Sequence, residues 1–231
     1  MNINLLENIN FPCVKPLYDT WGAKSEAGSW TINLLDDFAN ASVRERNAWY
    51  ADTMLSTINA FASIARINWV FFNSVDQLKS ISEEKSFKWQ IDKPYNDFVE
   101  KVIDEIREYP DDISSISIHV DLFVYVYTEK SPDKPVQSWV KGFGNYVEIG
   151  QFEIYLDQLR YQEHYVEFYI KHMLFYPDSW NYQEDNTELA NLNQPLLEEA
   201  LRKWEKKFDA EIDPDGLNGI YKYGYLPEDQ W

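Results

Sequence analysis

From Ile116 to Val126 the chain alternates without interruption. Ile116, Ile118, Val120, Leu122, Val124 and Val126 are aliphatic, and the residues between them are polar or aromatic. A period of two held over eleven residues suits a strand with one buried face. It excludes a helix, whose apolar positions recur at three and four. A strand of this length needs neighbours along its edges and a layer over its apolar face. The fold must therefore contain a sheet with something packed on one side.

The flanking patterns supply the neighbours. Val147 and Ile149 alternate, and Phe152, Ile154 and Leu156 continue in the opposite phase, so a bulge is expected at Gly150, where the phase flips. Val166, Phe168, Ile170 and Leu174 predict a third long strand, and Lys130–Pro135 reads as a turn or loop. Ile67–Phe72 and the alternation Phe87, Trp89, Ile91 predict two more strands. A helix over about 43–65 starts at the capping-box pattern Ser42-Val43-Arg44-Glu45, with Ala51, Met54, Leu55, Ile58, Phe61 and Ile64 along one side. Pro94 opens a second helix over about 94–109, with Tyr95, Phe98, Val102, Ile106 and Tyr109 inward. Pro195 opens a third over about 195–210, with Leu197, Ala200, Leu201, Trp204 and Phe208 inward, and Asp213-Pro214-Asp215-Gly216 reads as the turn that closes it. The expectation is a single α+β domain over 1–231: an antiparallel meander over about 115–176, flanking helices packed mainly on one face, and a short tail over 213–231.

Charge narrows the function. The chain carries 39 acidic against 21 basic side chains, a formal net charge of −18. That argues against gripping nucleic-acid phosphates directly and against an anionic membrane surface. Residues 93–129 hold 9 acids to 3 bases and residues 181–231 hold 12 to 5, so the acid is concentrated beside the meander. No apolar run suits a transmembrane helix, the N-terminus lacks a basic, apolar leader, and Cys13 is the lone cysteine. A reducing cytoplasm is the expected location.

Motifs for chemistry fail in turn. The glycines form neither a phosphate loop nor a dinucleotide fingerprint, since Val147 stands where Gly142-Phe143-Gly144 would need its third glycine. One cysteine permits no Cys-x-x-Cys zinc site, and no His-Glu-x-x-His is present. His119 and Asp121 read as a surface imidazole beside a carboxylate, whereas His164 and His172 lie about 26 Å apart along a strand. Glu211, Asp213, Asp215 and Gly216 imitate a calcium loop, but Lys222 stands where a bidentate glutamate belongs. Glu83-Glu84-Lys85, read as a loop, and Glu205-Lys206-Lys207, read as helical, match only the Glu-x-Lys tripeptide of metal-dependent nucleases. No cofactor, metal site or catalytic residue is expected.

The outward positions of the meander are tyrosine interleaved with carboxylate. They are His119, Asp121, Phe123, Tyr125 and Tyr127, then Tyr146, Glu148, Glu153, Tyr155 and Asp157, then Tyr165, Glu167, Tyr169 and Lys171. Tyrosine offers a large, rigid contact surface with a polar tip, and carboxylates accept from arginine or lysine. A cover from the N-terminal segment or the aromatic tail Ile220–Leu226 would turn the same rings into core-edge residues.

A strongly acidic, Trp- and Tyr-rich α+β chain without catalytic motifs, with Tyr/Glu strands from Tyr146 to Tyr169, resembles the immunity proteins of bacterial polymorphic-toxin and contact-dependent growth inhibition systems. The resemblance covers the whole chain in character and carries no residue over by position. It implies a non-enzymatic inhibitor that binds one cognate toxin domain, often a nuclease, and blocks its active site or an essential surface. A basic protein partner is then expected at Tyr125, Tyr127, Glu148, Glu153, Tyr155, Tyr165, Glu167 and Tyr169. A carboxylate-dependent hydrolase using Asp121 and Glu153, and an acidic DNA mimic directed at host defence, stay open.

Overall fold

The computed structural model describes residues 9–17, 28–35, 38, 40–76, 81–140, 149–156, 164–177, 186–216 and 219–226. In chain order the elements are β1 (Gly28–Leu34), α1 (Val43–Phe61), β2 (Ala65–Asp76), β3 (Ile81–Lys88), α2 (Tyr95–Arg107), β4 (Ile113–Thr128), β5 (Ser131–Val140), β6 (Gly150–Leu156) and β7 (His164–Ile170). A 3-10 turn (Met173–Phe175) follows, then α3 (Thr187–Phe208), β8 (Ile212–Gly216) and a small hairpin of β9 (Ile220–Tyr221) with β10 (Gly224–Tyr225).

The alternating segment is the spine. In β4 the side chains of Ile116, Ile118, Val120, Leu122, Val124 and Val126 are 0–1% exposed. Burying each contributes about 1.5–3 kcal/mol, so this one row is a large part of what holds the fold. The eight-stranded sheet runs β3-β2-β4-β6-β7-β1-β8, with β5 also paired to β4. Every ladder is antiparallel. Leu122 pairs with Ala65 on one side and Val140 on the other, so β5 lies on the β6 side of β4.

The helices cover the aliphatic face. Phe61 of α1 meets Phe152 and Phe168 at 4.8 and 4.7 Å between ring centroids, and Trp204 of α3 stacks edge-on against Phe61. At the start of α1 the capping box is present, with Ser42 N–H donating to Glu45 Oε2 at 2.7 Å. Arg46 grips Asp112 with both forks, and Asn47 Nδ2 donates to the carbonyls of Tyr109 and Asp111, which docks α1 on the link from α2 to β4. The β9–β10 hairpin joins this layer: Trp30 Nε1 donates to the Tyr221 carbonyl at 3.0 Å, and Tyr225 packs edge-on against Trp30. The fold is thus α+β, a mostly antiparallel sheet with its helices on one face.

Several boundaries differ from the sequence reading, each for a local reason. α1 stops at Phe61, because the β-branched and aromatic run from Ala65 joins the sheet instead. β3 ends at Lys88; Trp89 turns inward to lie edge-on to Tyr95, and Ile91 is exposed. Ser131 already begins β5, so the expected loop through Pro135 is a strand. The ladder with β4 slips between Val126 and Thr128, and the other edge of this strand carries only the bridge of Val140 to Val14 among the described residues, so missing N–H groups at Pro132 and Pro135 cost little. The bulge expected at Gly150 borders residues 141–148, which lie outside the described residues; from Gly150 onward the ladders with β4 and β7 run without a shift. The chain advances from Val140 to Gly150 while the β4 partner moves only from Leu122 to Val120. A Cβ at Gly150 would sit 3.1 Å from Val120 Cγ2, so close packing explains the glycine.

The third strand stops at Ile170. The His172 imidazole accepts the Leu174 N–H at 3.1 Å and turns the chain into the 3-10 segment. α3 begins at Thr187, a full two turns before Pro195, whose ring sits on the exposed side. One lost backbone bond is outweighed by the buried stripe Leu189, Asn193, Leu197, Ala200, Leu201 and Trp204. Asp213–Gly216 lies in β8, pairing with β1, and not in a turn.

Candidate functional site

Register places the Tyr/Glu residues in rows across the second face of the sheet, opposite the helices. One row reads Phe71, Ser117, Glu153, Glu167, Thr31, Asp213 from β2 to β8. The row on one side of it is Trp69, His119, Gln151, Tyr169, Ser29, Asp215. The row on the other side is Asn73, Ser115, Tyr155, Tyr165, Asn33. The alternation of β6 and β7, with odd residues partly buried and even residues buried, puts Glu153, Tyr155, Tyr165, Glu167 and Tyr169 side by side.

Glu153 and Glu167 are direct cross-strand partners, an arrangement of like charges that sheets ordinarily avoid. Ser117 Oγ donates to Glu153 Oε2 at 2.6 Å, Gln151 Nε2 adds a longer bond at 3.4 Å, and Tyr169 OH donates to Glu167 Oε2 at 2.6 Å. Burial pushes the Glu153 carboxyl up, and the Glu167 charge adds to it, against the hydrogen bonds from Ser117 and Gln151 and the influence of His119. The Tyr165 and Tyr169 phenols are also raised, first by burial and then by the same carboxylates, so they remain protonated donors. Tyr155 and Tyr165 pack at 5.2 Å with a 30° tilt. Around these groups Asp213 and Asp215 are exposed, and Lys171 brings an ammonium, which donates to Gln151 Oε1 at 3.2 Å.

The remaining expected residues fall elsewhere. Tyr125 and Tyr127 lie on the distal half of β4, about 26 Å along the strand from Ser117 for Tyr125. There Asn193 of α3 bonds both the N–H and the carbonyl of Tyr125, and the Tyr127 hydroxyl donates to Glu188. These two tyrosines are therefore tied to α3 and not to the Glu153 row. Glu148, Tyr146 and Asp157 lie outside the described residues.

The N-terminal segment covers one end of this face. Arg66, on β2 and 2% exposed, donates to the carbonyls of Ile9 and Phe11 and to Cys13 Sγ, and pairs with Asp121 Oδ2 at 3.0 Å. Its guanidinium sits between the rings of Trp89 and Trp139, 5.0 and 4.4 Å from their centroids. Asp121, expected as an outward residue, is buried here and also accepts from Asn68 at 2.7 Å. It stands four residues along β4 from Ser117, the partner of Glu153, so Asp121 and Glu153 are not brought together as a catalytic pair. Sequence reasoning missed Arg66; a lone arginine inside the run Ala65–Phe72 was the available signal. It also missed Trp69 and Phe71 on this face, because the register shifts between Ile67 and Trp69.

The histidines serve packing. His119 stacks on Trp69 at 5.1 Å, His164 lies edge-on to Phe38 and Trp49, and His172 is buried with its pKa lowered to about 3 by desolvation. Among the described residues no group of three or more His, Cys, Asp or Glu is placed to hold a metal ion. The calcium-loop imitation is a strand, with Lys222 bound to Glu205 and Glu211. Glu83-Glu84-Lys85 lies on β3 and not in a loop, with Lys85 paired to Glu105 beside a groove of about 490 Å³ along α2. No helix among the described residues is long and apolar enough to cross a membrane. No family model matches the sequence, and no curated protein matches it.

Proposed function

We propose that the protein is a non-catalytic immunity protein that binds and neutralises a basic toxin domain through the second face of its sheet, acting in the cytoplasm. One observation carries the reading. Among the described residues, the β6–β8 half of that face holds Glu153, Glu167, Asp213 and Asp215 among three tyrosines, against the one ammonium of Lys171, on a chain of net charge −18. A face of this kind steers a cationic partner and then holds it by ring contacts. The helices and the β9–β10 hairpin lie on the other face, which leaves the rows of β6, β7, β1 and β8 without a packed layer among the described residues.

The test is direct. The reading expects a toxin domain encoded by a neighbouring gene; with that domain purified, association rates are measured from low to high salt, together with protection of cells expressing it. Association should slow steeply with salt, because charge steering is screened beyond about 10 Å at 0.1 M. Tyr155→Ala and Glu153→Gln should weaken binding while thermal melting stays within a few degrees of the parent. If both variants protect as well as the parent, this face is not the binding surface. Turnover of a small molecule by the purified protein would remove the reading altogether.

A further inference from the structure

On the reading that this face binds a basic protein, we infer that it docks a segment presenting arginine and not lysine, with one guanidinium seated across the Glu153–Glu167 row against the tyrosine rings. The occupant follows from how the row is built. The two carboxylates face each other across neighbouring antiparallel strands, with Cα atoms about 4.5–5.5 Å apart. One oxygen of each is already held: Oε2 of Glu153 by Ser117 and Gln151, and Oε2 of Glu167 by Tyr169. The second oxygen of each receives no hydrogen bond from the described residues. Lys171, the ammonium closest by register, is spent on Gln151. The row is thus two oriented acceptors, one per strand, with their lateral positions set by neutral donors.

A guanidinium presents its N–H groups as a planar fork and can give one edge to each carboxylate at once, whereas an ammonium gives its three donors from a single point, as Lys222 does to Glu205 and Glu211, and brings no flat surface to the rings. The guanidinium's flat face also stacks on aromatic rings. The Tyr155–Tyr165 pair occupies the adjacent row, and Tyr169 flanks the other side. Binding would bring a cation to a like-charged pair to which no lysine or arginine is bonded among the described residues, which is charge complementarity in its most local form.

Two capped peptides serve as probes, one with four Gly-Arg repeats and one with four Gly-Lys repeats, titrated at low salt with chelator present and followed by tyrosine ring resonances. The arginine peptide should bind about tenfold more tightly than its lysine counterpart. Glu153→Gln/Glu167→Gln, which keeps the internal hydrogen bonds, should reduce the arginine peptide to the lysine level. Asp213→Asn/Asp215→Asn should weaken both peptides equally and leave the preference intact. Equal affinity for the two peptides, or a preference that survives the Glu153/Glu167 variant, overturns the inference. So does a matching resonance shift on adding calcium alone without chelator, since the row would then be a cation site. Loss of toxin binding in the tyrosine variants but not in Glu153→Gln/Glu167→Gln would sink the arginine seat while sparing the proposed function. Arginine preference in a protein that does not bind the toxin would do the reverse.

Discussion

Replacing Arg66 with leucine tests how the N-terminal segment is held over the sheet. Arg66 and Asp121 are 2% and 4% exposed, and their ion pair spans 3.0 Å. Deleting the arginine leaves the Asp121 carboxylate buried with Asn68 and the Cys13 thiol as its remaining donors, a situation that typically costs about 3–5 kcal/mol. The carbonyl of Ile9 also loses its donor in a buried position, which adds about 1 kcal/mol. Leucine recovers part of the packing between Trp89 and Trp139, so a net loss of about 4 kcal/mol is expected. Arg66→Leu/Asp121→Leu removes both charges, and should be less destabilised than Arg66→Leu alone. Urea denaturation of the parent, both single variants and the double variant supplies the cycle. Cys13 reports the segment independently: burial pushes its thiol up to about 12, so only about 1 in 10,000 thiols is ionised at pH 8. Modification by a disulfide reagent should be slow in the parent and much faster in Arg66→Leu. A loss below about 1 kcal/mol in Arg66→Leu, or a double variant as unstable as the sum of the singles, would refute the reasoning.

Further expectations concern charge and backbone. Burial lowers the His172 pKa from 6.5 to about 3, so its contribution is complete above pH 6.5 and is lost as pH falls toward 3. At pH 5 the loss is about 2 kcal/mol, and His172→Asn should flatten that slope in denaturation measured from pH 7 to 4. Glu153 acts in the opposite sense over the acidic range, because its raised pKa favours the folded state as pH falls; Glu153→Gln should steepen the acid loss. Glu167→Gln relieves the like-charge pair and should raise stability by roughly 0.5–1 kcal/mol while weakening the partner. A fall in melting temperature would show that the pair is internally compensated. At Gly224, φ is 127° and an added Cβ would lie 2.3 Å from Gln194 Nε2, which also holds the Tyr223 carbonyl. Gly224→Ala should cost about 1–3 kcal/mol by calorimetry.

Legibility followed range. The alternation of Ile116–Val126 and the Ser42–Glu45 box were readable because they depend on neighbours within one element. The strand with Pro132 and Pro135, the strand with Pro214, and the helix turn before Pro195 were not. Proline reports what its own backbone forbids, and an edge position or an exposed helix side makes that restriction cheap. Side-chain parity assigned Glu153, Tyr155, Tyr165, Glu167 and Tyr169 to one face, and the ladders join them. The same parity grouped Tyr125 and Tyr127 with them, but it specifies a face and says nothing of position along it, and these two lie at the far end of β4 with bonds to α3.

By itself, then, the amino-acid order determined the α+β class and which side of each meander strand turns inward, because a two-residue period is a property of the chain alone. Tertiary structure alone decided that Glu153 stands opposite Glu167, that Arg66 meets an aspartate 55 residues away, and that residues 9–13 are tied to Arg66 at one end of the face. Those outcomes depend on strand order and register, which are set by pairing energies summed over segments far apart in the chain.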